Sequence, residues 1–540
     1  DILKQLQFKA NLGTQYYTSR YNYYRPRTVG QDGDMPNSDA VQARVKARDI
    51  TNRDIDRLGE FTLNYNGEFG KHRLNALVGY TLQKKTYDRV AVEATGFPDD
   101  RIHEVTAHGP NASDIGLYSS DTRKAAWTMM SYLARVNYSF DNRYVVTGTV
   151  RTDGSSRFGK ENRWGWFPSI SLGWTISNEK FYQDLLGNNS SLKLRASWGL
   201  SGNNNIGNYE HTATMSQGGY VYGNTVETAY WQGTFKDAAI GWEKTSQYNV
   251  GFDLGLFNGR VNLIGNYYNS LSYDLLYDQP ISSISGSSSV KTNLKNAKVR
   301  NSGVDFQIDG RILTGDFKWN VSANITKYKN EVTKLAEGKD PDGYYTGSYW
   351  RKVGGSLYDW YTYKYAGVDP ANGDALYYVD VTDEAGNTTI DTTNDPNKAT
   401  RYQINKSAIP TLYGGIATTV EAYGFDLSIA TAFQGGGYIM DSGYMALMGG
   451  GDAGTNWSPD IFNRWTPENA NSNVPRVQQG YQYANQSSDR FLTKNDCFSL
   501  KNVTLGYTLP KALLNKVGIQ SLRIYASGDN LYFTSKRQGL

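Results

Sequence analysis

Fifteen stretches of this chain alternate apolar and polar residues with period two, and the links joining them switch between very short and very long. A two-residue period is that of a β-strand, whose successive side chains point to opposite faces. Five links are tight, at Gly70-Lys71, Asp141-Asn142, Asn258-Gly259, Thr314-Gly315 and Ala422-Tyr423; two more, at 177–190 and 510–519, are moderate. The remaining links are long, above all 329–410 and 435–496. A sheet with short connections at one end and sprawling ones at the other suits an all-β, antiparallel barrel threaded through a membrane from one side.

The strands read from this pattern are 5–17, 57–69, 72–87, 125–140, 143–153, 168–176, 191–201, 243–256, 260–276, 302–313, 316–328, 411–421, 424–434, 497–509 and 520–530. Several exceed ten residues, whereas globular strands average about 5–6 and tilted transmembrane strands need about 9–11. One face carries Tyr132, Ala134, Val136, Tyr138 and Phe140; the other carries Leu133, Arg135, Asn137 and Ser139. The next strand sets Tyr144, Val146, Gly148 and Val150 against Val145, Thr147, Thr149 and Arg151. A slip of one residue would turn Arg135 and Arg151 into lipid, at about 2–4 kcal/mol for an Arg at mid-membrane. The register is thus expected to keep Arg135, Asn137, Arg151 and Asp153 on a lumen-facing wall. A soluble sandwich shows the same alternation, but structureless loops beyond about 12–15 residues are uncommon in compact domains.

Composition narrows the classes further. Mean hydropathy is −0.59, and no apolar run is long enough for a membrane helix; a barrel escapes that test because only alternate residues meet lipid. The 56 Gly, 42 Tyr and 12 Trp suit turns and a membrane–water interface. With 56 basic and 52 acidic residues, the charge is too balanced to argue for nucleic acid. The single cysteine, Cys497, permits no intrachain disulfide and reads as a small packing residue.

Catalytic and metal signals are weak. His103-Glu104-Val105-Thr106-Ala107-His108 spaces its histidines five apart in a loop, whereas the zinc-peptidase motif needs them four apart on a helix. Asp369-Pro370-Ala371-Asn372-Gly373-Asp374 reads as a β-turn, with calcium the alternative, because the spaced ligands and closing Glu of an EF-hand are missing. No phosphate loop, dinucleotide fingerprint or nucleophile elbow is present, and a pair such as Asp340 and Asp342 does not by itself make a glycosidase. The expectation is a non-enzyme with no metal and no cofactor.

Three blocks are more specific. The first is Arg151-Thr152-Asp153-Gly154-Ser155-Ser156-Arg157-Phe158-Gly159 followed by Asn162-Arg163-Trp164-Gly165-Trp166-Phe167-Pro168-Ser169. The second is Leu192-Lys193-Leu194-Arg195-Ala196-Ser197-Trp198-Gly199 ending in Ser201-Gly202-Asn203-Asn204. The third is Phe498-Ser499-Leu500-Lys501-Asn502-Val503-Thr504-Leu505-Gly506-Tyr507, then Leu522-Arg523-Ile524-Tyr525 and Gly528-Asp529-Asn530-Leu531. Together they resemble the SusC/RagA family of TonB-dependent outer-membrane transporters.

That resemblance implies a 22-stranded barrel holding an N-terminal plug that engages TonB. It also implies a SusD-like surface lipoprotein capping the long loops, an oligosaccharide or oligopeptide cargo, and the outer membrane of a Gram-negative bacterium of the Bacteroidetes type. Neither plug nor TonB-engaging segment is visible in residues 1–540, and Asp1-Ile2-Leu3-Lys4 leads almost at once into a strand. Bacterial single-chain barrels close with an even strand number, so fifteen strands are expected to be one partial barrel domain of a longer chain. A passive porin or adhesion barrel is the alternative, and a soluble lectin or glycosidase a third class.

Within the first block, Asp153 and Arg157 are expected to clip the emerging loop. The long loops carry Trp231, Tyr344, Tyr345, Trp350, Trp360 and Trp457, suited to stacking on a sugar, holding an apolar side chain, anchoring a lid protein or packing the loops themselves. Asn203 and Asn204 offer amides to a ligand, or simply make a turn.

Overall fold

A computed structural model describes residues 4–26, 28–29, 46–95, 97, 100–101, 103–105, 116–187, 189–223, 225–285, 287–449, 455–480, 483–515 and 518–536. Its wall is one fifteen-stranded antiparallel sheet in which every strand pairs with its neighbour in sequence. The strands are β1 (Leu6–Arg25), β2 (Lys46–Phe69), β3 (His72–Thr95), β4 (Gly116–Phe140), β5 (Tyr144–Ser155), β6 (Trp164–Thr175), β7 (Ser191–Asn203) and β8 (Glu243–Leu256). They continue as β9 (Val261–Pro280), β10 (Ser289–Thr314), β11 (Phe317–Lys334), β12 (Leu412–Ala422), β13 (Phe425–Gly435), β14 (Cys497–Thr508) and β15 (Arg523–Ser535). Each expected strand has its counterpart. Among the described residues β1 and β15 do not pair with each other, so the barrel is not closed in this chain. No described helix is long and apolar enough to cross a membrane.

Three of the tight links are hairpin turns with consecutive residues of left-handed backbone, at Asp141-Asn142, Asn258-Gly259 and Tyr423-Gly424. Asp141 and Asn142 have φ of 51° and 54°, and Tyr423 and Gly424 have 52° and 89°. Two consecutive residues at positive φ match the twist of the flanking strands. The turn expected at Ala422-Tyr423 thus lies one residue later, at Tyr423-Gly424, because the ladder still pairs Ala422 with Phe425. The moderate links fold into short helices, Lys180–Leu186 and Lys511–Leu514.

Two aromatic ladders mark one face of the wall. Near the turns, ring centroids step from His72 to Phe140 (4.9 Å), Tyr144 (6.5 Å) and Trp174 (6.4 Å). Farther up, they step from Phe61 to Tyr80 (6.4 Å), Tyr132 (5.3 Å) and Trp164 (6.0 Å). On β4 the ladders are eight residues apart, at Phe140 and Tyr132. That is about 27 Å along a strand, or about 20 Å of height at a tilt of 35–45°, close to the apolar band of about 25 Å between aromatic girdles. Exposed Val136, Val146, Val150, Ile170 and Leu172 fill the space between. The opposite face carries Arg135, Thr149 and Ser169 in one row and Asn137, Thr147, Ser171 and Ser197 in another.

Above the upper ladder the wall is uneven. Strands β1 to β4 run 20 to 25 residues and β10 runs 26, whereas β12 and β13 have 11 each. The expected strands 57–69 and 302–313 therefore grow to 46–69 and 289–314. The long loops build sheets of their own. Tyr344–Thr346, Tyr349–Arg351, Asp359–Tyr363 and Arg401–Ser407 form one; Tyr365–Val368, Ala375–Thr382 and Thr388–Thr393 form another. Thr214–Tyr222 and Thr225–Thr234 make a projecting hairpin, and Tyr438–Met440 pairs with Leu492–Lys494.

Candidate functional site

The first and second motif blocks meet at the rim of β5, β6 and β7. Phe158, Phe167, Ile206, Ile240 and Trp242 form a buried cluster there, with Phe158 fully enclosed and 5.3 Å from Trp242. Gly165 and Gly202 flank this cluster, and a Cβ on either would collide with Phe167. These two motif glycines let a large aromatic lie flat against the wall.

Around the cluster, polar side chains are tied to framework. Arg151 donates to Asp153 at 2.7 and 3.0 Å and to Ser131 Oγ at 3.0 Å. The expected Asp153–Arg157 clip is not made. Arg151 and Asp153 sit two apart on one strand and share its face, whereas Arg157 lies past the strand end. It turns instead to Asn204 O and Asn208 Oδ1, both at 3.2 Å, and lies 5.1 Å over Trp127. Burial lowers the Arg157 pKa from its usual value.

Asn204 Nδ2 donates to Ser155 Oγ (3.0 Å), and Asn203 Nδ2 to Glu243 Oε1 (3.2 Å). Both asparagines are thus engaged at the rim. Asn137 Nδ2 donates to Asn75 Oδ1 at 3.0 Å, while Arg135 stands exposed in the next row.

Two of the predicted loop aromatics come together on the four-stranded loop sheet. Tyr345 stacks on Tyr361 (5.4 Å, 17° between planes), and Trp350, the cross-strand partner of Tyr345, also approaches Tyr361 (5.1 Å, 34°). Tyr345 is 60% exposed, so the group presents a flat aromatic surface to the outside. Arg401 lies 5.1 Å over neighbouring Tyr363, and Lys339 lies 5.0 Å over Tyr344.

Trp360 falls on the opposite face. It is buried against Tyr349 (4.9 Å) and donates its indole N–H to Tyr438 O (2.9 Å), so it packs the loop rather than meeting solvent. Tyr361 is the residue sequence reading missed. The alternation in Asp359-Trp360-Tyr361-Thr362-Tyr363 carried the signal, but it does not by itself say which parity is open.

Trp231 and Trp457 are placed elsewhere. Trp231 lies half-exposed over Gly218 on the projecting hairpin, and Trp457 donates to Thr455 Oγ1 at 2.9 Å. Among the described residues neither makes a ring contact with the Tyr345 group. Tyr344 also lines a cavity of about 260 Å³, together with Leu275, Leu276, Leu294, Val299 and Val332 and the charged Glu243 and Arg351.

These loop groups titrate as their packing dictates. Burial raises the Asp359 carboxyl above the ordinary range, opposed by the Ser356 N–H that it accepts at 3.1 Å. Burial also raises Tyr361. Tyr402 is pushed up to about 12 by burial and by its bond to Asp380.

A family model described as "TonB dependent receptor-like, beta-barrel" matches residues 3–374. The chain belongs to that family. TonB-dependent receptor P3 of Formosa agariphila is 29% identical over 98% of this chain and 52% of its own length. TonB-dependent receptor SusC of Bacteroides thetaiotaomicron is 32% identical over 76% of this chain and 41% of its own. Among solved structures, the RagAB peptide transporter superposes with a TM-score of 0.83 at 28% identity, covering 100% of this chain and 57% of that one. The chain spans about half the length of the curated relatives it matches.

In this TonB-dependent receptor barrel, Asp369–Asp374 is a turn. Asp369 N–H donates to Asp374 O, and Ala371 N–H to Asp369 Oδ1. The Asp374 carboxylate accepts from Arg476 and Asn394, both at 2.9 Å. Asp340 likewise accepts the Asp342 N–H in a turn. His103 contacts Asp100 O and the Tyr24 ring; His108 lies outside the described residues. No group of three or more potential metal ligands occurs among the described residues.

Proposed function

We propose that this barrel is the wall of a TonB-dependent importer of the SusC kind, which takes an oligosaccharide or oligopeptide across the outer membrane of a Bacteroidetes-type bacterium. The observation carrying this reading is the pairing of a two-ladder membrane wall with a loop crown that presents the stacked Tyr345–Tyr361–Trp350 surface. Polar Arg135, Asn137, Arg151 and Asp153 line the route in this reading, and their parity, opposite to that of the aromatic ladders, supports it. A SusD-like lipoprotein closes the crown from outside, and TonB acts through a plug beyond residues 1–540. Relatives named TonB-dependent receptor SusC and RagAB peptide transporter support the reading.

Between the two cargo classes, the cavity that Tyr344 lines favours a peptide. Its leucine and valine lining suits a hydrophobic side chain. Cargo recovered with the complete protein and identified by mass spectrometry tests this directly. Peptides are expected, with recovery falling roughly fivefold in Tyr361→Ala; recovery unaffected by Tyr361→Ala would remove the aromatic surface from the site. Affinity capture is expected to bring down a surface lipoprotein, and a clean preparation without one would weaken the import reading against the passive porin.

A further inference from the structure

Most strand charges in this molecule are paired. On the lipid side of the tall strands, Arg20 meets Asp49 and Arg53 meets Asp88, both at 2.5 Å. Elsewhere on the wall Arg195 meets Asp253 (2.8 Å) and Arg523 meets Asp426 (2.5 Å). Exceptions remain, among them Lys298 opposite Lys334 on β10 and β11, and one lies directly above the upper aromatic ladder. Arg57 of β2 and Lys84 of β3 are direct cross-strand partners, both exposed, and among the described residues neither bears an ion pair or a hydrogen bond. Like charges directly opposite on neighbouring strands destabilise a sheet.

Their position is specific. Arg57 stands four residues above Phe61, and Lys84 four above Tyr80, so both continue the face of the upper aromatic ladder. Four residues are about 13 Å along a strand, or about 10 Å of height at the tilt of such barrels. Below the pair, the same face holds Leu12, Gly59, Leu82 and Met130, the last of the apolar band. Above it are Tyr16, Ile55, Thr86 and Ala126. Beside it are Thr14 and Thr128, so every neighbour on that face is uncharged.

We infer that Arg57 and Lys84 form a binding site for the phosphate of an outer-leaflet lipid headgroup. The apolar band seats the acyl chains, and the cations sit where the polar heads begin. Guanidinium matches phosphate bidentately, ammonium adds a point charge, and the two threonines can donate hydroxyls. An anion between the cations also removes their mutual repulsion. A soluble phosphate would meet the same charges but would have no use for the leucines and methionine directly beneath.

The inference rests on the lipid-face register of the wall, which is open to a separate test by labelling positions 146 and 147. The experiment here is native mass spectrometry of the complete protein in detergent, with added bis-phosphorylated lipid A or its dephosphorylated form. The wild type is expected to retain the phosphorylated lipid. Arg57→Gln with Lys84→Gln should lower its affinity about thirtyfold, while the charge-matched loop control Lys160→Gln with Lys236→Gln changes it less than about twofold. Equal retention by the Arg57/Lys84 variant, or equal loss in the control, would overturn the site. Displacement of the lipid by inorganic phosphate at the same phosphorus concentration would assign the pair to a soluble anion and overturn it too. Unaltered heat-modifiable migration of each variant shows that the barrel is intact.

Discussion

The same strands obey two different rules below and above the upper aromatic ladder. Between the ladders, β4 and β5 alternate, with Val136, Val146 and Val150 on one face and Arg135, Asn137 and Thr147 on the other; Leu133 and Val145 are the apolar residues on the second face. Above them, the extensions of β2 and β3 are polar on both faces. Lys85 meets Asp54, Arg53 meets Asp88, and Arg48 meets Glu93 across the strands. Solvent on one face and lipid on the other forces a two-residue contrast. Water on both faces removes that demand, and cross-strand charge pairs and loop packing hold the crown instead. The band is specified by its solvent and the crown by its own contacts.

The crown core is where the two regions come apart most readily. Phe158→Ala should cost about 3–5 kcal/mol locally, and is expected to open residues 157–242 to protease while the wall between the ladders stays resistant. Loss of the wall together with the crown would show that the two regions are not separable.

In the band, Val146→Arg should cost about 2–4 kcal/mol in folding into bilayers, whereas Thr147→Arg should cost about 1 kcal/mol or less. Equal costs would contradict the assigned faces.

The smallest effect is expected at the turns. Glu179 accepts bonds from Tyr144 Oη (2.7 Å), Trp174 Nε1 (3.1 Å) and Arg143 Nη1 (3.1 Å), and those from Tyr144 and Trp174 lead in lowering its pKa. A depressed carboxyl stabilises the fold above its unfolded pKa, and that contribution disappears as pH falls through the folded value. Glu179→Gln is therefore expected to lower thermal stability at pH 7 and to match the wild type in acid. A deficit that persists or grows as pH falls would deny the carboxylate its role.

This contrast also explains what could be read from the sequence. The fifteen wall strands were legible because the band writes its environment into every second residue. Their upper reaches were not: in Lys46 to Arg57 charged residues fall on both parities, so β2 reads eleven residues too short. The loop sheets were hidden for a related reason. Strands such as Tyr344–Thr346 and Tyr349–Arg351 have three residues each, too few to show a period. Trp350 and Tyr345 were legible as loop aromatics. Trp360 and Tyr361 differ by one parity step, and only the packing of Trp360 under Tyr438 decides which faces out. Arg57 and Lys84 lie 27 positions apart, and only the β2–β3 register brings them side by side.

The central claim is that hydrocarbon contacts alternate residues of the wall. With Cys497→Ala as background, single nitroxide labels placed in turn from Tyr144 to Val150 and reconstituted in bilayers report it by paramagnetic relaxation. Labels at Tyr144, Val146, Gly148 and Val150 are expected to collide with dissolved oxygen, and those at Val145, Thr147 and Thr149 with a water-soluble nickel complex. The opposite phase, or no alternation, would contradict the account.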